Sequence, residues 1–221
     1  TNFGFFTGQA LSNQVGIRNS RLVPDPSEAP GTGAKDPIRI FGSDAPVFPG
    51  DAGRSADTGM PARALCMLDK ITGFSLKQGR YDQGYVRAEK KVDPEEWFFD
   101  AHFYQDPVCP GSLGIESFLQ MLRFFMIEKF DIQPDRFEAV MPCGDAHSWI
   151  YRGQIIPANK TIEVHAHIKH ARKTEDGFTV VADGALTVDG ICIYEMTDFC
   201  AGFEKVVQRT SSSSRDIPAA V

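Results

Sequence analysis

The chain has 221 residues, of which 42% are apolar and 24% are charged, a balance that favours one globular domain with appendages. Its formal net charge of -6 argues against a nucleic-acid-binding surface, and no apolar run is long enough to cross a membrane. The five cysteines form no Cys-x-x-Cys pair and no secretory signal pattern is present, so the sequence predicts reduced thiols and a cytoplasmic location. Because the chain begins with Thr1 rather than methionine, we expect it to be a fragment of something larger.

Composition divides the chain into three regions. Residues 1–37 are predicted to form an N-terminal arm or a linker between repeats, because prolines and glycines recur there and interrupt helices and central strands. Residues 38–204 are predicted to form the folded domain. Residues 205–221 contain the serine run 211–214 and are predicted to be a C-terminal tail or linker.

Strand-like segments begin after residue 62. An apolar run at 65–72 and an alternating segment at 85–92 predict two strands, and further strands are predicted at 137–141, 148–156, 161–171, 178–188 and 191–197. Asp189-Gly190, between the last two, predicts a tight hairpin. Within 161–171, apolar side chains alternate with four polar ones, which we expect to form a solvated face rather than a metal site: Glu163, His165, His167 and Lys169.

One long helix is predicted at 113–130. Pro110-Gly111 interrupts the preceding structure, Ser112 offers a hydroxyl at the N-cap position, and apolar side chains then occupy nearly every side of the helix. A helix with this pattern is buried. One buried helix inside a mostly antiparallel sheet predicts an α+β fold.

Polar side chains fall on a single stripe of this helix. Glu116, Gln120 and Arg123 are spaced i, i+4 and i+7, and the stripe either faces solvent or forms part of a site. His102 lies just upstream in WFFDAHF, where an isolated histidine is more often a packed core residue than a catalyst. A histidine and an acid separated by a helix N-terminus form a more specific pattern, which favours the functional interpretation.

The stretch HFYQDPVCPGSLGIESFLQ, from His102 to Gln120, resembles a known family signature. The signature is H-F-x-x-D-P-V-x-P-G-x-L-G-x-[DE]-x-x-x-Q, that of the FabA-like β-hydroxyacyl-acyl-carrier-protein dehydratases. Further segments between residues 38 and 203 resemble the strands of the family, with an insertion near 51–59. The motif region resembles in particular the dehydratase domains of polyunsaturated fatty acid synthases and related polyketide synthases. The resemblance implies the hotdog fold, an antiparallel β-sheet wrapped around one long central helix.

Dehydration of a 3-hydroxyacyl thioester requires a base for the C2 proton, an acid for the departing C3 hydroxyl and a donor to the thioester oxygen. The resemblance assigns these roles to His102, Glu116 and the backbone N–H of Gly111. It also implies that the Val108 carbonyl fixes the tautomer of His102 and that Gln120 orients Glu116. Glu116 lies in the first helical turn, where the helix dipole favours the carboxylate by about 0.3–1 kcal/mol, whereas a general acid must hold a proton. The sequence leaves this conflict open.

The resemblance further implies an acyl tunnel beside the motif, lined by Phe103, Cys109, Pro110, Ser112 and Leu113. We interpret the Cys109 thiol as a small hydrophobic group rather than a nucleophile. Substrates would be carried on the phosphopantetheine of an acyl carrier protein, with no metal or redox cofactor. Lys169, Arg172, Lys173 and Arg123 are interpreted as ordinary surface charge rather than a patch for the acidic carrier.

In the resembled family the histidine of one hotdog meets the acid of another. His102 is therefore expected to pair with Glu116 of an identical chain or of a tandem neighbour. The expected product is a trans-2-enoyl thioester. Two alternatives remain: dehydration coupled to isomerisation, which would depend on tunnel shape, and a non-catalytic hotdog that completes the site of a partner. The presence of both His102 and Glu116 favours catalysis over the second alternative.

Overall fold

The computed structural model of the chain describes residues 15–24, 38–39, 61, 63–142 and 146–206. Most of the predicted arm, the predicted insertion and nearly all of the predicted tail lie outside these described residues. The boundaries proposed for these regions therefore stay predictions.

The described residues form eight strands and two α-helices in the following order: β1 (Ile38–Arg39), β2 (Lys70–Ser75), β3 (Tyr85–Lys91), α1 (Trp97–Ala101), α2 (Gly111–Phe130), β4 (Phe137–Val140), β5 (Ser148–Tyr151), β6 (Thr161–Lys173), β7 (Gly177–Val188) and β8 (Ile191–Lys205). The strands form one sheet in the order β1-β2-β3-β6-β7-β8-β4, and β5 also pairs with β8. Every pairing is antiparallel. The predicted α+β fold is confirmed.

The sheet wraps around α2, which packs against β3, β6, β7 and β8. This arrangement explains why α2 is apolar on nearly every side: Met121 and Met126 are both fully buried, although they lie on different sides of the helix. Among the described residues, no helix is both long enough and apolar enough to cross a membrane. Between β7 and β8, Asp189 and Gly190 both adopt positive φ angles, of 49° and 84°, and the predicted hairpin is confirmed.

Gly114, in the first turn of α2, lies against the ring of Tyr194, and a Cβ atom at this position would overlap that ring. We predict that Gly114→Ala lowers the free energy of unfolding by about 1–3 kcal/mol, because overpacking a fixed ring displaces it. Helix propensity alone would give the opposite sign, since alanine is favoured over glycine by about 1 kcal/mol. Chemical denaturation measures the difference, with Ser112→Ala as the exposed control. A Gly114→Ala protein as stable as the wild type would contradict this packing.

Several predicted boundaries are wrong. The helix begins at Gly111 with Pro110 at its N-cap position and no side-chain cap, so Ser112 is an exposed first-turn residue and not the cap. The strand predicted at 65–72 corresponds to β2, which begins only at Lys70. The residues before Lys70 instead form the end of a 3-10 turn and a loop that is hydrogen-bonded to α2. The segment 148–156 is a strand only as far as Tyr151. The last strand was predicted to end at residue 197, but β8 extends to Lys205 because it pairs with β7 and also with β4 and β5.

The face of β6 predicted to be solvated is largely covered. His165 and His167 are only 1% and 4% exposed. Part of the cover is the segment 15–24, where the Leu22 carbonyl accepts a hydrogen bond from His167 Nε2 at 3.0 Å and Ile17 N–H donates to the Cys192 carbonyl at 2.7 Å. Burial lowers the pKa of His167 and keeps it neutral. The prediction of a solvated face is therefore wrong, because a distant part of the chain packs over it.

Candidate active site

His102 is positioned by a helix end and a loop. α1 is anchored by the buried rings of Phe98 and Phe99, and the His102 N–H donates to the Phe98 carbonyl at 3.0 Å. The imidazole Nδ1 donates to the Val108 carbonyl at 2.8 Å, and the Val108 N–H donates back to the His102 carbonyl at the same distance. A carbonyl oxygen only accepts, so Nδ1 carries the hydrogen and the neutral ring has its lone pair on Nε2. The half-buried ring thus presents a base at Nε2.

The loop after His102 is a tight turn that leaves aromatic side chains on the surface. Phe103 and Asp106 exchange two backbone hydrogen bonds, at 3.0 and 3.1 Å, and Gln105 adopts a positive φ of 58°. Phe103 is 58% exposed and Tyr104 is 89% exposed. In a single chain, Phe103 therefore lies on the surface rather than inside a tunnel. Exposed aromatic side chains beside a site are typical of a surface that another subunit covers.

Gly111 begins α2 beneath a cluster of three rings, which we call the aromatic cluster: Trp149, Tyr151 and Tyr194. A Cβ atom at Gly111 would lie 3.0 Å from Trp149 Cη2, so glycine allows this close approach. The Tyr194 hydroxyl donates to the Gly111 carbonyl at 3.2 Å, and burial holds the pKa of Tyr194 well above its ordinary value, so it remains a donor. The first N–H groups of a helix have no intrahelical acceptor. The Gly111 N–H is therefore available to a developing negative charge.

Glu116 lies one turn further along α2. Its Oε1 accepts hydrogen bonds from Gln120 Nε2 at 3.0 Å and from Arg123 Nη1 at 2.9 Å. Gln120 is fully buried and is held in place by Met67 N–H, which donates to its Oε1, and by the Leu65 carbonyl, which accepts from its Nε2, both at 2.9 Å. The expected contact between Gln120 and Glu116 is present. Arg123, interpreted from the sequence as surface charge, is instead paired with Glu116, and its i+7 spacing was the signal for this contact.

Two of the expected tunnel residues, Cys109 and Leu113, line a cavity of about 10 Å³ between α2 and the sheet, about the space of one water molecule. Pro110 and Ser112 are not among its lining residues. Cys109 is buried, and burial raises the pKa of its thiol to about 12, so the thiol stays protonated and unreactive. This supports the interpretation of Cys109 as a small hydrophobic group.

The same cavity has one charged lining residue, Lys90, which the sequence analysis did not single out. Its ammonium group is 2.5 Å from Glu96 Oε1 and 3.9 Å from Asp69 Oδ1. Lys90 lies on the same face of β3 as the buried residues Val86 and Ala88, because alternate residues of a strand share a face. This alternation was the signal in the sequence that Lys90 points inward. A buried ammonium needs such carboxylate partners to offset its lost hydration.

His102 and Glu116 do not meet within one chain: in the described ranges, no hydrogen bond or ion pair joins them. Each is held separately, His102 by Val108 and Glu116 by Gln120 and Arg123.

An antiparallel sheet wrapped around one buried central helix defines a hotdog protein. The chain belongs to the FabA-like domain family, whose model matches residues 60–197 and so includes His102, Gly111 and Glu116. Among curated proteins, the chain is similar to a polyunsaturated fatty acid synthase component of Thraustochytrium sp., at 30% identity over 234 aligned residues. The alignment covers 98% of this chain and 15% of that protein.

Solved structures with low sequence identity share parts of the architecture. A dehydratase heterocomplex from Xenorhabdus doucetiae is 11% identical, with a TM-score of 0.45, over 66% of this chain and 86% of that one. A thioesterase from Pseudomonas aeruginosa is 12% identical, with a TM-score of 0.37, over 62% of this chain and 82% of that one.

Proposed function

We propose that this chain is a dehydratase domain that converts 3-hydroxyacyl thioesters, carried on the phosphopantetheine of an acyl carrier protein, into trans-2-enoyl thioesters. The observation that carries the proposal is the Nδ1–H bond from His102 to Val108, three residues before the start of α2, which leaves Nε2 as a base. Membership of the FabA-like family supports dehydration. The similarity to a component of a polyunsaturated fatty acid synthase supports an acyl chain on a carrier as the substrate.

The proposed reaction uses three groups. His102 Nε2 takes the proton from C2, and the electron pair of that bond becomes the C2–C3 double bond as the C3–O bond breaks. Glu116 of a second hotdog gives a proton to the departing hydroxyl, which leaves as water. The Gly111 N–H donates to the thioester oxygen while negative charge develops there. Transfer of the proton from His102 to Glu116, through the released water, restores both groups.

An unpaired edge of the sheet supports the proposed association with a second hotdog domain. Among the described residues, β5 pairs with β8 alone, so its other edge has unpaired backbone groups. Trp149 and Ile150, on this strand, are large apolar residues that are more than one third exposed. The Trp149 ring lies against Gly111, so a subunit that pairs with β5 would lie beside the start of α2. The geometry supports completion of the site at this edge by an identical chain or a tandem neighbour.

We predict that Ile150→Lys weakens this association, because lysine on an edge strand opposes strand pairing and two copies would repel each other. Light scattering should give the mass of two wild-type chains and of one Ile150→Lys chain. Leu76→Lys is a matched control, because Leu76 is exposed to a similar extent, 38% against 40%, and follows β2, which β3, β6 and β7 separate from β8 in the sheet. A variant that keeps the mass of the wild type would place the interface elsewhere.

The function is tested by incubating the wild-type chain with a 3-hydroxyacyl pantetheine thioester, while enoyl product and free thiol are measured in parallel. Formation of the trans-2-enoyl thioester without thiol release supports the proposal. Thiol release without enoyl product would instead indicate a thioesterase. A cis-3-enoyl product would show coupled isomerisation. No turnover by the folded chain, with activity restored by a second domain, would indicate a structural partner.

A further inference from the structure

Among the described residues, the Glu116 carboxylate is held through one of its two oxygens. Gln120 Nε2 and Arg123 Nη1 both donate to Oε1, at 3.0 and 2.9 Å. In the described part of the chain, no hydrogen bond to Oε2 is present. The side chains of Glu116 and Arg123 are 26% and 17% exposed, so the pair is largely shielded from solvent. Oε2 is therefore the oxygen that is free to meet a substrate or a partner.

The two donors act from a rigid platform. Glu116, Gln120 and Arg123 share one stripe of α2, and α2 is held by the surrounding sheet. Gln120 is itself fixed by the backbone of the loop at residues 65–67. Rotation of the carboxyl group that exchanged its oxygens would break two hydrogen bonds, one of them charge-assisted. The contacts therefore distinguish the two oxygens chemically.

We infer that Arg123 is a positioning residue for Glu116, and that Oε2 is the atom that gives its proton to the departing C3 hydroxyl. This inference rests on the proposed dehydration. A carboxyl oxygen has two lone-pair sites, and two donors already occupy those of Oε1. The proton of a general acid must then be carried on Oε2, and after the transfer both donors still stabilise the carboxylate through Oε1. Arg123 does not contact the reacting atoms in this arrangement.

Kinetics test the positioning role. Arg123→Met keeps an unbranched apolar stem without the donors and is expected to lower kcat by about 10–10²-fold with little change in KM, since a misplaced catalytic group slows the chemical step. Arg123→Lys should restore part of the loss, because lysine keeps the charge but lacks the planar donor fork. Arg136→Met, which removes an exposed arginine near β4, should behave as the wild type. Circular dichroism confirms folding, and Arg123→Lys serves as the test if Arg123→Met does not fold.

Infrared spectroscopy tests the contact without reference to activity. Subtracting the spectrum of Glu116→Gln from that of the wild type isolates the carboxyl bands of Glu116, and the same subtraction is made in the Arg123→Met background. Loss of one donor from Oε1 should shift these bands. Unshifted bands together with unchanged kcat in Arg123→Met would overturn the inference while leaving the dehydration intact. If the bands shift in the Arg123→Met background but the wild-type chain shows no turnover, the contact is supported and the proposed function is overturned.

Discussion

Replacing His102 by alanine is expected to lower kcat/KM for a 3-hydroxyacyl pantetheine thioester by about 10²–10⁴-fold, the usual contribution of a positioned general base. The variant loses the only group in the proposed mechanism that can take the C2 proton. It also loses the hydrogen bond from Nδ1 to the Val108 carbonyl, which should cost about 1 kcal/mol of stability and leave the fold intact. The main loss should therefore appear in the formation of enoyl product, while the midpoint of thermal unfolding should fall by only about 2–4 °C.

His170→Ala is the matched control, because His170 is also a half-buried histidine but lies on β6, away from the motif. This control should retain the activity of the wild type. Imidazole added to His102→Ala should restore part of the lost rate if the missing function is proton transfer. Equal kcat/KM values for His102→Ala and the wild type would remove His102 from the mechanism.

Glu116→Gln is expected to cause a loss of similar size, about 10²–10⁴-fold in kcat, with little change in KM. Glutamine keeps the shape of the side chain, and its carbonyl oxygen can still accept from Gln120 and Arg123. It has no proton of suitable acidity to give to the departing hydroxyl. Glu128→Gln changes an exposed glutamate on the same helix and should leave the rate unchanged. Full activity in Glu116→Gln would contradict the acid role.

Mixing the two inactive variants tests whether the site is shared between chains. When His102→Ala and Glu116→Gln chains pair at random, half of the dimers are mixed. If His102 of one chain meets Glu116 of its partner, each mixed dimer has two sites, one with both native residues and one with neither. About a quarter of the wild-type activity should then return, as a two-fold symmetric dimer requires. A site contained within one chain would give no recovery. This outcome would contradict the assembly argued from the open edge of β5.

Local patterns in the sequence predicted most of the elements around the site, but not the short helix α1, whose end positions His102. The apolar run between Pro110 and Phe130 predicted the buried helix, and alternation predicted β6 because side chains of a strand alternate between two faces. Asp189-Gly190 predicted its hairpin because these residues tolerate positive φ. The motif also put His102 before the loop that leads into α2 and Glu116 inside the beginning of that helix. The start of α2 was missed by two residues, because proline can stand at the N-cap position without a side-chain cap.

Contacts between distant parts of the chain were decided only by the tertiary structure. His165 and His167 have the spacing of a solvated face, yet a segment more than 140 residues away covers His167. Gln120 is fixed by a loop more than 50 residues earlier. This loop occupies the first part of the segment 65–72, which the sequence predicted to be a strand. The spacing of Glu116 and Arg123 put them on one stripe, but only the enclosing sheet excludes enough water to favour their pairing. Periodicity sets which side of an element a residue occupies, whereas packing against the rest of the chain sets what that side meets.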